Sequence, residues 1–371
     1  MALTHIATSL RFAIRVDASA AAGTGHLIRC RTLAQALRKH GAAVTFICRA
    51  HEGHGMAMLR DEGFAVCSLP APDVADTPWA EGENYARWLG VSQPQDAEET
   101  IAALPERPDW LVVDHYGIDA TWERQLRPHV DRILAIDDLA NRDHDCDALL
   151  DQNYTRDPEK RYRDRLPAHA TRLLGPQYAL LRPEYAQYRQ SPTPHRRRLE
   201  RVFVFFGGTD PDNLTGRALE ALSDPAFRGI TVDAVVGPNN PHQQALAAQA
   251  EARPGITLHP PRAHLADLMA AADMAIGAGG TTTWERCCLG LPSLVISIAE
   301  NQRPACEALA HEGVIVYLGH HDEVSVADLR GVLEDHRAEP ERLGIQARAG
   351  VQTVDGLGTV RVAEQLVSQR S

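Results

Sequence analysis

Short runs of β-branched and aliphatic residues alternate with helix-like stretches from one end of this chain to the other, and the alternation restarts once. Parallel strands joined by crossover helices require that pattern, so it restricts the chain to a βαβ architecture before any single residue is considered. In the first series the spacing predicts strands at 11–17, 43–48, 64–68, 109–114, 131–137 and 147–151, with helices over 26–40, 54–62, parts of 82–103 and 119–128. The second series predicts strands at 202–206, 230–236, 256–258, 273–277, 292–298 and 314–318, with helices between them. Between the two, Gln190-Ser191-Pro192-Thr193-Pro194-His195-Arg196-Arg197-Arg198 loses periodicity and gains proline and charge, which marks a linker over 182–200. The expected fold is therefore α/β, with two doubly wound Rossmann-like domains, 11–181 and 201–345, facing across a cleft, and a C-terminal helix over 346–371 packing back across the hinge.

A length of 371 residues suits two such domains. The net charge of −11 argues against a nucleic-acid partner, and any phosphate must be caught by local geometry rather than by a basic field. Of the 38 basic residues only Lys39 and Lys160 are lysines. The seven cysteines form no C-x-x-C pair and read as reduced thiols. Arg11 and Arg15 interrupt the first apolar stretch, so no signal peptide is expected. No run approaches the roughly 18–20 apolar residues that span a bilayer. The expectation is a cytoplasmic monomer with no membrane partner and no cofactor.

Strand 11–17 ends at Asp17 and empties into Gly23-Thr24-Gly25-His26-Leu27-Ile28-Arg29, which opens a helix. Exposed N–H groups and the positive dipole end there disfavour imidazolium, so His26 is expected to be neutral and able to accept a proton. Gly23 and Gly25 allow a tight turn and close approach of a substrate. The alternative is a plain strand-to-helix turn whose histidine caps the helix.

A second constellation, Gly279-Gly280-Thr281-Thr282-Thr283-Trp284-Glu285, runs from a strand through glycines and hydroxyls into a helix. Free N–H groups there suit a diphosphate without lysine or metal, and Glu285 can accept from both ribose hydroxyls or simply cap its own helix. Glu300-Asn301-Gln302 follows the next strand and borders the same region, unless it is an ordinary polar helix start. Phe206-Gly207-Gly208-Thr209-Asp210-Pro211-Asp212-Asn213 is a third glycine loop. Its D-x-D, like those at 143–145 and 145–147, can hold a divalent cation, but Asp212 reads as a helix N-cap and no metal site is assigned. Asp114-His115-Tyr116 and Asp137-Asp138-Leu139 set acids at strand ends, where with Asp17 they orient His26, bind sugar hydroxyls or cap turns. His51, His54, His320 and His321 lack metal-ligand spacing and read as surface residues.

In this order, Gly23-Thr24-Gly25-His26 with Arg29, Val113-Asp114-His115-Tyr116, Asp137-Asp138-Leu139, Asp151-Gln152-Asn153, Phe206-Gly207-Gly208-Thr209-Asp210, Gly279 to Glu285 and Glu300-Asn301-Gln302 resemble the UDP-2,4-diacetamido-2,4,6-trideoxy-β-L-altropyranose hydrolase family of pseudaminic acid biosynthesis. The resemblance covers roughly residues 12 to 310. It implies a GT-B fold similar to the MurG-type glycosyltransferases, with the sugar passed to water by inverting, metal-independent attack. His26 matches the family's proposed general base, with Asp17, Gly23, Gly25, Arg29, Asp114 and Tyr116 around the reacting centre. The second domain is implied to bind UDP through Gly207, Gly208, Gly279, Gly280, Thr281, Thr282, Glu285, Asn301 and Gln302, and Arg182, in Leu181-Arg182-Pro183-Glu184-Tyr185, matches a linker arginine that reaches the ligand. A glycosyltransferase moving a sugar from UDP to an acceptor hydroxyl is the alternative.

Overall fold

β1 (Arg11–Val16) is buried at every position but its first. A strand covered on both faces in this way reads as a continuous apolar run, as the central strands of parallel sheets do. A computed structural model describes residues 9–19, 23–72, 85–190, 198–262 and 264–369. Residues 191–197 of the expected linker and 82–84 of the expected helical stretch lie outside the described residues.

β1 continues with β2 (Ala43–Arg49), β3 (Ala65–Leu69), β4 (Trp110–Asp114), β5 (Arg132–Ile136), β6 (Ala148–Asp151) and β7 (Thr171–Leu174). They form one parallel sheet in the order β3-β2-β1-β4-β5-β6-β7. Period-2 alternation along β1 sends Phe12, Ile14 and Val16 into one core with Leu27, Leu33 and Leu37 of the helix Gly25–Lys39. Ala13 faces a second core with Leu111, Val113 and Trp122. The second sheet contains β8 (Arg201–Phe205), β9 (Thr231–Val235), β10 (Ile256–His259), β11 (Met274–Ala278), β12 (Ser293–Ser297) and β13 (Val316–His320). Its order is β10-β9-β8-β11-β12-β13, again all parallel.

Both strand orders reverse once, between β1 and β4 in the first sheet and between β8 and β11 in the second. Neighbouring crossover helices diverge at such a reversal and leave open the carboxyl ends of the two strands, where ligands of this architecture bind.

The chain divides into two compact units. One runs to Asn153 and adds Asp157–Leu180 and the chain from Gly358; the other is Tyr154–Arg156 with Leu181–Leu357. The helix Glu341–Thr353 stays with the second unit, whereas Val362, Ala363 and Leu366 of the helix Gly358–Ser368 complete the first unit's core. Where the loss of periodicity suggested linker throughout, Pro183–Gln190 is helical. Pro183 occupies its first position, where a missing N–H loses no bond. Among the described residues no helix is long and apolar enough to cross a membrane.

Candidate active site

The reversal in the first sheet pairs Val16 with Asp114, so the end of β4 lies beside the turn that follows β1. Gly23 takes φ +72°, which a side chain would oppose, and donates its amide to Ser19 O at 2.9 Å. His26 is then the second residue of the helix Gly25–Lys39. Its Nδ1 lies 2.6 Å from Oδ1 of Asp114, a fully buried carboxylate 88 residues away. A carboxylate only accepts, so Nδ1 carries a proton, and in the neutral ring the lone pair then belongs to Nε2.

Arg29, one helical turn after His26, donates Nε to Asp114 Oδ2 and Nη2 to Asp114 Oδ1, both at 2.6 Å, and Nη1 to Asp138 Oδ2 at 3.0 Å. This fork fixes the carboxylate in the plane that the imidazole needs. Burial alone would favour the neutral acid, but the Arg29 guanidinium and His26 outweigh it and hold the Asp114 carboxyl well below the usual carboxylate range. Arg29 is 4% exposed, and two carboxylates take up its donors. The Tyr116 phenol is pushed up by burial and by Asp138, so it keeps its proton.

Aromatic rings surround the imidazole. Tyr116 meets it edge-on at 4.6 Å and Trp88 at 6.4 Å, while Trp88 stacks on Tyr116 at 5.6 Å and Tyr85 touches both at 5.0 Å. These contacts limit the tilt of His26 about the Asp114 bond. Sequence reasoning missed Tyr85 and Trp88, which sit on a short segment with no periodic signal.

Asp17 lies deeper. It accepts from Arg15 Nη1 at 2.6 Å and from the Arg49 amide at 2.7 Å, with His51 Nε2 at 3.5 Å and His115 Nε2 at 3.7 Å. Burial opposes its charge, but Arg15 and His51 hold it below the usual range. Burial pushes His115 down to about 4, and its Nδ1 accepts from the Gly117 amide at 2.9 Å, so His115 is a neutral neighbour. Asp96 braces the region from behind, binding Arg15, Arg49 and the Trp122 indole N–H.

In the second unit, Gly207 follows β8 with φ +98°, and Gly208 continues that loop. Gly279, Gly280 and Thr281 follow β11, and the helix Thr282–Cys288 begins at Thr282. The Gln302 side chain lies against both glycines of that loop, within 3.4 Å of the Cβ position of Gly279 and 3.7 Å of that of Gly280. Its Oε1 accepts from the Ile298 amide at 2.9 Å, and Asn301 shares its 3-10 turn, Glu300–Gln302.

The Oε2 atom of Glu285 is covered and has no hydrogen-bond partner among the described residues. Burial pushes its carboxyl up to about 7, against a hydrogen bond from Tyr185 and the charges of Arg286 and Arg182. Arg182 pairs with Glu184 at 3.1 Å. Tyr185 and Arg286 are residues that sequence reasoning passed over, although Tyr185 lies three residues from Arg182.

Several expectations are corrected. Asp212 does not cap the helix Leu214–Leu222. Asn213 does, accepting from the Gly216 amide, and Asp210 takes the Leu214 and Thr215 amides. A left-handed Asn213 (φ 54°) turns the chain so that the cap falls one residue later. His51 and His320 are 8% and 7% exposed, not surface residues. His320, His321 and Asp322 bring three donor atoms within 4.8 Å of one another, so a turn achieves the proximity that their spacing did not suggest.

No catalogued protein-family pattern matches the chain. It is 25% identical over 347 residues, 92% of its length and 93% of the relative's, to the spore coat polysaccharide biosynthesis protein SpsG of Bacillus subtilis (strain 168). It is 24% identical over 307 residues, 82% of its length and 97% of the relative's, to the UDP-2,4-diacetamido-2,4,6-trideoxy-beta-L-altropyranose hydrolase of Campylobacter jejuni. Among solved structures, MurG of Acinetobacter baumannii superposes with a TM-score of 0.63 at 13% identity, covering 97% of this chain and all of that one. The two parallel-sheet Rossmann-like units are those of the GT-B fold.

Proposed function

We propose that this chain is a UDP-sugar hydrolase that converts UDP-2,4-diacetamido-2,4,6-trideoxy-β-L-altropyranose to UDP and the free diacetamido sugar. The observation that carries the reading is the Asp114–His26 pair, with Arg29 fixing the acid and Nε2 left as a base. Water is a poor nucleophile, and an imidazole within hydrogen-bond reach can take its proton as it attacks. The water oxygen bonds to the anomeric carbon while the bond from that carbon to the diphosphate oxygen breaks. The proton goes to His26 Nε2 and the electron pair leaves with UDP. Attack opposite the leaving group inverts the anomeric centre.

In this reading Asp114 and Arg29 are positioning residues, Tyr116 and the turn at Gly23 and Gly25 surround the sugar, and Asp17 supports that turn. In the second unit the loop from Gly279 to Thr282 takes the diphosphate with fixed N–H donors, which stabilise the departing charge without a metal. Glu285 takes the ribose, Asn301 and Gln302 face the diphosphate or sugar, and Gly207, Gly208 and Arg182 complete the ligand's surroundings. The kinship to the Campylobacter hydrolase at 24% identity supports the substrate assignment.

A second reading, a glycosyltransferase in which the same base activates an acceptor hydroxyl, is favoured by the likeness to MurG. Incubation of the chain with the UDP-sugar and no acceptor, followed by NMR, separates the two. Hydrolysis yields UDP and free sugar, first as the inverted anomer, and continues in chelator. His26→Ala removes turnover and leaves UDP affinity within about twofold. A chain that releases UDP only when an alcohol acceptor is added is a transferase.

A further inference from the structure

The deeply buried arginines of the first unit all face acids: Arg15 pairs with Asp17 and Asp96, Arg29 with Asp114 and Asp138, and Arg49 with Asp96 and Glu99. Arg286 in the second unit is 1% exposed and, among the described residues, makes no ion pair. Its Nη2 donates to the Ala278 carbonyl at 2.8 Å and to Thr283 Oγ1 at 2.9 Å, and its Nε has no hydrogen-bond partner among the described residues. Arg253 also lacks an acid, but it binds the carbonyls of Phe227 and Ile230, which precede β9 at the amino ends of the strands. Arg286 grips Ala278, the last residue of β11, at the carboxyl end where ligands of this fold bind.

The slot for this guanidinium is built into the backbone. A Cβ on Gly277 would lie 2.4 Å from Arg286 Nη1 and 2.6 Å from the Phe205 carbonyl, so only glycine admits the side chain at that point. A carbonyl and a hydroxyl replace only part of the hydration that a buried guanidinium gives up, and without a counter-charge its burial is unfavourable. Consistent with this, burial pulls the Arg286 pKa below its ordinary value. The adjacent carboxyl, Glu285, is itself raised toward neutrality.

We propose that the missing counter-charge is the diphosphate of the bound nucleotide. Arg286 is then a positioning residue for an anion subsite on the Ala278–Thr283 loop. Its Nη2 pins the Ala278 carbonyl and the Thr283 hydroxyl, which fixes the loop between them, and its uncompensated charge acts on the anion from beneath. The inference rests on the UDP reading of the second unit and adds to it an electrostatic element below the loop.

The test is calorimetric titration of the full chain with UDP, uridine and inorganic pyrophosphate, using wild type, Arg286→Met, Arg286→Lys and Arg286→Gln, with thermal melts of each apo protein. Arg286→Met should lose UDP affinity by on the order of thirtyfold, the scale of one charged contact, and lose pyrophosphate in parallel. Uridine affinity should stay within twofold. Arg286→Lys should recover most of the loss, and apo Arg286→Met should melt no lower than wild type, since an unpaired buried charge has gone. If Arg286→Met does not fold, Arg286→Gln, which removes the charge but keeps a side-chain donor for the Ala278 carbonyl, should show the same UDP-selective loss. An unchanged ratio of UDP to uridine affinity in the folded variants overturns the inference while leaving the UDP reading intact. A wild-type chain that binds neither UDP nor pyrophosphate overturns the UDP reading, and this inference with it.

Discussion

Replacing Asp114 with Asn tests the base assignment without removing the base. The carboxylate accepts from His26 Nδ1, Arg29 Nη2 and Arg29 Nε, each at 2.6 Å. An amide has one acceptor and one donor. If its NH₂ faces His26, Nδ1 must become the acceptor and the ring proton moves to Nε2, the atom that should receive a proton from water. Facing the other way the NH₂ keeps that tautomer, but either orientation sets it against an Arg29 N–H, Nη2 in the first and Nε in the second, and both remove the negative charge that stabilises the imidazolium formed when Nε2 takes the proton. Loss of the correct tautomer in an acid–histidine pair lowers turnover by about 10⁴, and general-base catalysis as a whole is worth about 10² to 10⁴. A fall of 10² to 10⁴ in kcat is expected, or about 3–5.5 kcal/mol of barrier. Stability should fall by only about 2–3 kcal/mol, because Arg29 keeps Asp138 at 3.0 Å and is not left wholly unpaired. Turnover of the UDP-sugar, a urea melt and calorimetric UDP affinity together give the answer. A folded variant whose kcat stays within threefold of wild type would refute the role given to Asp114 beside His26.

Other perturbations have equally definite outcomes. Glu285 has a carboxyl pushed up to about 7 by burial, whereas the unfolded chain titrates near its ordinary value of about 4.3. The folded state therefore binds the extra proton, and stability from this group is full below about pH 4 and lost as pH rises through 7. Glu285→Gln should flatten that fall, gaining more on wild type at pH 8 than at pH 5 in denaturant melts. An identical offset at both pH values would contradict it. Asp96→Ala should destabilise by about 2–3 kcal/mol in urea, because it removes the acid that Arg15 and Arg49 share in the core and leaves each with a single carboxylate, Asp17 or Glu99. A cost below about 1 kcal/mol would show that those guanidiniums reach water. Trp88→Ala removes a half-buried ring that steadies Tyr116 and His26, so kcat should drop about tenfold with little change in melting temperature, and an unchanged kcat would count against the aromatic clamp.

The sheets were legible in the sequence because parallel strands buried on both faces have to be apolar throughout. β1, β4, β8 and β11 fall within a residue or so of their predicted ends. β7 was not predicted, since a four-residue edge strand with half-exposed Thr171 and Arg172 carries neither a long apolar run nor strong alternation. The helix Pro183–Gln190 was hidden by its polar composition.

In the site, the glycine turns and His26 stood out because local chemistry specifies them. The partner of His26 did not, because Asp17, Asp114, Asp137 and Asp151 all stand at strand ends in the first unit and only the pairing of β1 with β4 selects Asp114. Arg29 read as a ligand contact from its position in the motif, and two carboxylates 85 and 109 residues away give it a different task. Arg286 gave no signal at all, because a guanidinium in a helix is unremarkable until its burial and lack of an acid are seen.

Hydrolysis of the UDP-sugar in ¹⁸O-enriched water, with wild type and His26→Ala side by side, tests the central claim most directly. The account predicts label at the anomeric oxygen of the free sugar, none in UDP, and no product from the variant. Label in the UDP phosphate, or product from His26→Ala at the wild-type rate, would contradict it.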